Sequence, residues 1–271
     1  MSKIGFEVVE SFGETAKATP AANEDRLVLT DDFAAVIDGA TSSGALDGVA
    51  GGIVATETVA EAIRALPAEA TAWEFVELAT RRLAERIGAL DPTRARPSAA
   101  VVVYSAARRE VWRVGDCHFR LGEREHNGDK PLDRLAYGFR CAVLRAELAL
   151  GRTTLEREQS RPVLEQPFRP LILVQHAYAN LAEDDPLAYG ALDGRPVPDK
   201  FIEIHPIGDI SEIVLCSDGF PGAPATLGEG LEALRRLRAE DPLLIRDYLG
   251  SRPFPVGSPY FDDTTYVRLR P

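Results

Sequence analysis

The chain has 271 residues, 45% of them hydrophobic and 27% charged, which is ample material for a large core. A formal net charge of −11 repels phosphate backbones and anionic lipid, so nucleic acid and membrane surfaces are excluded as expected partners. The three cysteines, Cys117, Cys141 and Cys216, lack CxxC spacing, and no apolar run has the length of a signal peptide core or a membrane span; a cytoplasmic location is expected.

Residues 4–11 alternate loosely and are expected to form a first strand. Residues 13–22 are small and polar, a loop leading into Asn23-Glu24-Asp25. Leu27, Val28 and Leu29 mark a strand over 26–30, and a short link then reaches Phe33-Ala34-Ala35-Val36-Ile37-Asp38-Gly39. That apolar run, bounded by Asp31-Asp32 and by a Gly/Ser-rich segment to Gly44, reads as a buried strand ending in a sharp turn. Asp38 then stands at the strand end, and Gly39 leaves its carbonyl open. By itself an Asp-Gly pair punctuates loops everywhere.

A helix is expected over 46–66, with Ile53, Ala60 and Ile63 on one face; Gly51-Gly52 weakens its first turn or allows close backbone approach. Thr71-Ala72-Trp73-Glu74 is a capping-box start, after which Trp73, Val76, Leu83, Ile87 and Leu90 form a core stripe that Asp91-Pro92 stops. Residues 98–105 form a buried strand and 110–114 its hairpin partner, ending in Gly115-Asp116, with 119–121 extending the sheet. Over 132–150 an amphipathic helix presents Leu135, Phe139, Val143, Ala146 and Leu150 to the core. Residues 171–180 are read as helical, and Asp193-Gly194 as a hairpin turn between strands at 187–192 and 200–205. Ile213-Val214-Leu215-Cys216 is a buried strand running into Ser217-Asp218-Gly219, and Thr226-Leu227-Gly228-Glu229 opens a further capped helix. A loop from 253 leads to Asp262-Asp263, and 266–269 closes the chain as a strand. There is no repeat and no linker, so 1–271 is expected to be one domain.

Acidic residues therefore recur where strands end or begin: Asp38, Asp116, Asp218 and Asp262-Asp263, with Glu24-Asp25 as a fifth cluster. Strands bury their middles, so these ends collect at one edge of the sheets. Carboxylates gathered there raise one another's pKa values unless cations neutralise them. Oxygen ligands without a matching His or Cys set point to a hard ion, Mg²⁺ or Mn²⁺. Two such ions suit phosphate-ester hydrolysis, polarising phosphoryl oxygens and activating a water for in-line attack.

In order along the chain, Asn23-Glu24-Asp25, Val36-Ile37-Asp38-Gly39, Val114-Gly115-Asp116, Leu215-Cys216-Ser217-Asp218-Gly219 and Asp262-Asp263-Thr264-Thr265 resemble the motifs of the type 2C, metal-dependent serine/threonine protein phosphatases. The resemblance spans nearly the whole chain. It implies an α+β fold, a four-layer α-β-β-α sandwich of two antiparallel sheets flanked by helices, with a binuclear metal centre at one edge. Carried across, Asp38 would bridge both metals, Gly39 would offer its carbonyl to one, and Asp218 and Asp262 would complete the other shell. Glu24 and Asp25 would orient metal-bound waters, and Asp116 with Asp218 would help hold a third, weaker ion.

The chain departs from the family where substrate is gripped. The usual arginine three residues before Asn-Glu-Asp is Pro20 here; Lys17 is the nearby candidate substitute, a point charge without the planar fork. Ala40 stands where family members carry a His after Asp-Gly, and Asp263 where Asn is typical. His118 reads as a strand residue ahead of a replacement general acid. The expected activity is hydrolysis of phosphoserine or phosphothreonine on proteins. Hydrolysis of small phosphate esters, favoured by the missing arginine, is the first alternative. A catalytically silent scaffold that holds metal and binds a phosphoprotein is the second. No Asp-x-Asp-x-Thr follows an early strand, which counts against a haloacid-dehalogenase-like phosphatase.

Overall fold

The computed structural model describes residues 5–40, 44–89, 94–162 and 165–271. Its strands form two five-stranded sheets in which every pairing is antiparallel. One sheet has β2 (Arg26–Leu29), β3 (Phe33–Gly39), β4 (Ala99–Ser105), β5 (Glu110–Val114) and β8 (Glu203–Pro206) in that order. The other runs β1 (Glu7–Glu14), β10 (Thr264–Arg270), β9 (Ile213–Cys216), β6 (His118–Leu121) and β7 (Arg124–His126).

Side-chain alternation along the strands builds the layers. Ala34 and Val36 of β3, Val102 and Tyr104 of β4, Leu215 of β9 and Val267 of β10 interdigitate between the sheets. The opposite faces carry Phe33, Ala35 and Ile37, which pack against α1 (Gly51–Arg64) and α2 (Ala72–Ile87). On the far side, Val214, Cys216 and Tyr266 pack with Leu234 of α6 (Leu227–Glu240). The result is the expected α-β-β-α sandwich. All three cysteines are free and buried, and no helix among the described residues is long and apolar enough to cross a membrane.

Several local expectations give way to tertiary context. β1 runs on to Glu14, into the segment read as a loop; as an edge strand with a bulge between Val8 and Glu10 it has no clean hydrophobic alternation to mark its end. The first helix begins at Gly51, and residues 46–49 form a turn closed by the Leu46–Val49 bridge. The Thr71 capping box of α2 is present with both of its bonds. Its stripe, however, is Ala72, Phe75, Val76, Ala79, Leu83 and Ile87, while Trp73 is 48% exposed. Gly88, at φ 63°, ends that helix, so the stop precedes Asp91-Pro92, which lie with Leu90 outside the described residues.

In α3 (Pro131–Ala149) the buried stripe is Leu132, Ala136, Arg140, Cys141 and Leu144, while Leu135, Phe139 and Leu150 are more than half exposed. Arg140 can sit inside because its guanidinium donates to Gln166 Oε1 and to the carbonyls of Leu243, Leu244 and Gly250. Between α3 and β8 lie two short helices, α4 (Leu155–Gln159) and α5 (Arg169–Val174), the latter continued by a 3-10 turn to Ala177. The expected hairpin across Asp193-Gly194 does not form. Residues 187–192 make only single bridges, Leu192 to Ala99 and Tyr189 to Ala179, and β8 pairs with the open edge of β5. β6, expected to extend the sheet of β5, crosses to the opposite sheet beside β9.

Candidate metal centre

Antiparallel pairing places the end of one strand beside the start of the next, and this gathers the acidic residues. Asp38 is penultimate in β3, opposite Ala100 at the start of β4, and Glu24-Asp25 immediately precede the neighbouring β2. Asp218 follows β9, and Asp262-Asp263 precede its partner β10. Asp116 lies in the crossing from β5 to β6, on a turn that Gly115 makes at φ 90° with no room for a Cβ against Ala100.

Asp38, Gly39, Asp116, Asp218, Asp262 and Asp263 line one cavity of about 360 Å³ at this rim. Glu24 and Asp25 are buried beside it and are not among its lining residues. Gly39 is required: a Cβ there would come 2.7 Å from the Glu24 carbonyl and 2.8 Å from that of Gly52. Gly52 in turn has no space for a side chain against Glu24. The pair at the start of α1 thus permits close approach of the helix to the site.

The electrostatics divide the carboxylates. The Asp218 N–H donates to Asp38 Oδ2 at 3.4 Å. Burial, reinforced by Asp25, Asp116 and Asp262, pushes the Asp38 carboxyl well above the usual carboxylate range. Asp218 is pushed up likewise by burial, then by Asp38, Asp116 and Asp262. Asp25 is raised mainly by burial, and both of its oxygens are enclosed without a well-formed hydrogen bond. Burial also raises Asp262, against the pull of Arg252, whose Nη2 lies 3.2 Å from Asp262 Oδ2.

Glu24 and Asp263 have a cation of their own. The Lys17 ammonium donates to Glu24 and, at 2.8 Å, to Asp263 Oδ2. Asp263 also accepts the Glu24 N–H at 2.8 Å and the Thr15 hydroxyl at 2.5 Å. This corrects the expectation for Lys17, which is pinned between carboxylates and does not line the cavity. Pro20 heads an exposed 3-10 turn. His118 lies buried on β6, where Nδ1 accepts the Gly128 N–H at 2.7 Å and burial lowers its pKa to about 4. It is neutral at physiological pH, and so holds no proton to donate as an imidazolium.

Sequence reasoning missed part of the cavity wall. Lys130, Asp133 and Tyr137 enter it from the first turns of α3, and Arg252 from the loop after residue 250. Lys130 donates to Gln175 Oε1 at 2.9 Å and sits over the Tyr189 ring. The α3 residues share one helical face by their spacing, a signal available beforehand. Arg252 sits in an irregular loop with no periodicity to betray it.

The donor set fits a hard divalent ion. Among the described residues no three carboxylate, imidazole or thiol groups form a ready-made metal cage. Mg²⁺ does not ask for one, because it keeps several waters and takes one or two carboxylates. Mutually repelling carboxylates around a cavity, with a glycine carbonyl beside them, supply that demand.

Solved structures of similar architecture include the catalytic domain of the serine/threonine protein phosphatase PstP in complex with two manganese ions, at a TM-score of 0.50 and 16% identity, covering 96% of this chain and 96% of that one. A bacterial serine phosphatase matches at a TM-score of 0.50 and 14% identity, covering 97% of this chain and 98% of its own. PstP/Ppp from Mycobacterium tuberculosis matches at 0.49 and 16% identity, over 96% and 97% of the two chains. No protein-family model and no curated protein sequence matches the chain. From end to end the chain has the fold of these bacterial serine/threonine phosphatases, the architecture its type 2C resemblance implies.

Proposed function

We propose that the chain, acting as one domain, is a Mg²⁺- or Mn²⁺-dependent phosphatase that hydrolyses phosphoserine or phosphothreonine on proteins. The observation that carries this reading is the convergence of Asp38, Asp116, Asp218 and Asp262 on one cavity, with Asp38 and Asp218 pushed up by burial and then by neighbouring carboxylates. Asp38, the Gly39 carbonyl, Asp218 and Asp262 would hold two ions, and Asp116 with Asp218 a third. Ions bound there supply charge neutralisation at the phosphoryl oxygens and an activated water. Asp25, enclosed beside Asp38, orients solvent at the site. Glu24, paired with Lys17, would orient metal-bound water together with Asp25. The acidic net charge and the three buried free cysteines fit a cytoplasmic enzyme that binds neither nucleic acid nor membrane.

A second reading, hydrolysis of small phosphate esters, is favoured by Pro20 at the place of the family's phosphate-gripping arginine. One assay separates them: p-nitrophenyl phosphate and a phosphothreonine peptide, each with Mn²⁺ or with chelator, for the wild type and Asp38→Ala. Turnover of both substrates that needs Mn²⁺ and Asp38 is the expected result. Turnover of the small ester alone selects the second reading. No turnover under any condition leaves a metal-holding scaffold and overturns both.

A further inference from the structure

Four cationic side chains line the cavity: Arg96, Lys130, Lys200 and Arg252. Three of them donate hydrogen bonds to protein oxygens. Lys130 is bonded to Gln175 and lies 3.4 Å from Asp133. Lys200 donates to the carbonyls of Ala182 and Glu183, and Arg96 Nε donates to the carbonyl of Asp193. Arg252 differs. Its side chain is only 19% exposed, yet among the described residues its one charged partner is Asp262, at 3.2 Å, and its buried Nε has no hydrogen-bond partner.

A guanidinium carries five N–H donors in a fixed fork, and enclosing the Nε–H without a partner is costly. Simple neutralisation of Asp262 would need one ammonium, as Lys17 provides for Asp263. A planar fork with spare donors, facing the cavity that the carboxylates face, matches a tetrahedral oxyanion.

We propose that Arg252 is the phosphate-gripping residue of this site, recognising the phosphoryl oxygens of a phosphate monoester from the opposite end of the chain to Pro20. The assignment rests on the phosphatase reading above, deepening its substrate contact.

The test is binding of inorganic phosphate, by titration calorimetry, to wild type, Arg252→Gln and Arg252→Lys, each also titrated with Mn²⁺ alone. Losing a charge-assisted fork contact is expected to weaken phosphate binding roughly 10- to 100-fold in Arg252→Gln. KM for p-nitrophenyl phosphate should rise in parallel, with Arg252→Lys intermediate and Mn²⁺ affinity changed by less than the phosphate loss. Phosphate affinity of Arg252→Gln within about twofold of wild type, or a loss that merely follows lost Mn²⁺ affinity, overturns the assignment. So does a wild type that binds no phosphate. If Arg252→Gln fails to fold by circular dichroism, Arg252→Lys decides on the same criteria. A wild type that binds phosphate through Arg252 but hydrolyses neither ester sinks the phosphatase reading and leaves this one standing. Active enzyme indifferent to Arg252 does the reverse.

Discussion

Two sets of carboxylates share one rim of the sandwich and meet opposite fates. Glu24 and Asp263 are locked around Lys17, with the Glu24 amide and the Thr15 hydroxyl completing the knot. Asp38 and Asp218 lie beside each other with no ion pair to a basic side chain among the described residues, and burial, then neighbouring carboxylates, hold their carboxyls above the usual range. The first set is finished by the fold; the second is the one proposed to take added ions. Residue type does not separate them, since both are acidic residues at strand ends. Whether a basic side chain can reach them does.

The sharpest way to break this comparison is to neutralise one member of the open set. If the proposed metal role holds, Asp38→Asn should lower Mn²⁺-dependent turnover by on the order of 10³-fold, because a proposed metal ligand is gone. The same change should raise the melting temperature of the metal-free protein, since a buried repulsion is relieved. Scanning calorimetry in chelator checks the second effect, and a metal-free Asp38→Asn that melts lower than wild type would remove the distinction drawn here.

Lys17→Met attacks the closed set. It leaves two buried carboxylates uncompensated and is expected to cost about 3 kcal/mol or more of stability, measured by denaturant unfolding. An unfolding midpoint close to that of wild type would mean that Lys17 does not hold the knot together.

Solution pH tunes the buried carboxylates at and beside the cavity. Folding raises the carboxyl pKa values of Asp25, Asp38, Asp218 and Asp262, so their stabilising contribution is complete below about pH 4 and is lost as pH rises through the raised folded values. Metal-free protein should therefore lose stability from this source on the way from about pH 4 to neutrality. Mn²⁺ should bind more tightly as pH rises and release protons on binding. Calorimetry in buffers of different ionisation heat reads the protons directly, and binding without proton release at neutral pH contradicts the assignment. The smallest expected effect is a control far from the rim: Thr71→Ala removes the α2 capping box and should cost about 1 kcal/mol while leaving kcat unchanged.

Much of this was legible in the chain. β3, β4 and β9 announce themselves as apolar runs because both of their faces are covered, and β5 as the hairpin partner of β4. The turn residues and acidic ends that follow them marked the rim. Edge strand β1 was legible only in part, since it meets solvent and needs no strict alternation. The face of α3 was misjudged because Arg140 interrupts the true stripe, and nothing in local sequence reveals the carbonyls of Leu243, Leu244 and Gly250 that satisfy it. Trp73 was assigned inward on spacing alone, although Ala72 and Phe75 bracket the actual core direction.

By itself the sequence determined the central buried strands and which acidic residues sit at their ends, the pattern from which a hard cation is expected. Only the tertiary structure decided which carboxylates Lys17 would claim and that Arg252, far along the chain from Pro20, would reach the cavity. The reason is that strand burial follows from short-range hydrophobic pattern, whereas the pairing of charges depends on distances between residues far apart in sequence, 246 positions from Lys17 to Asp263.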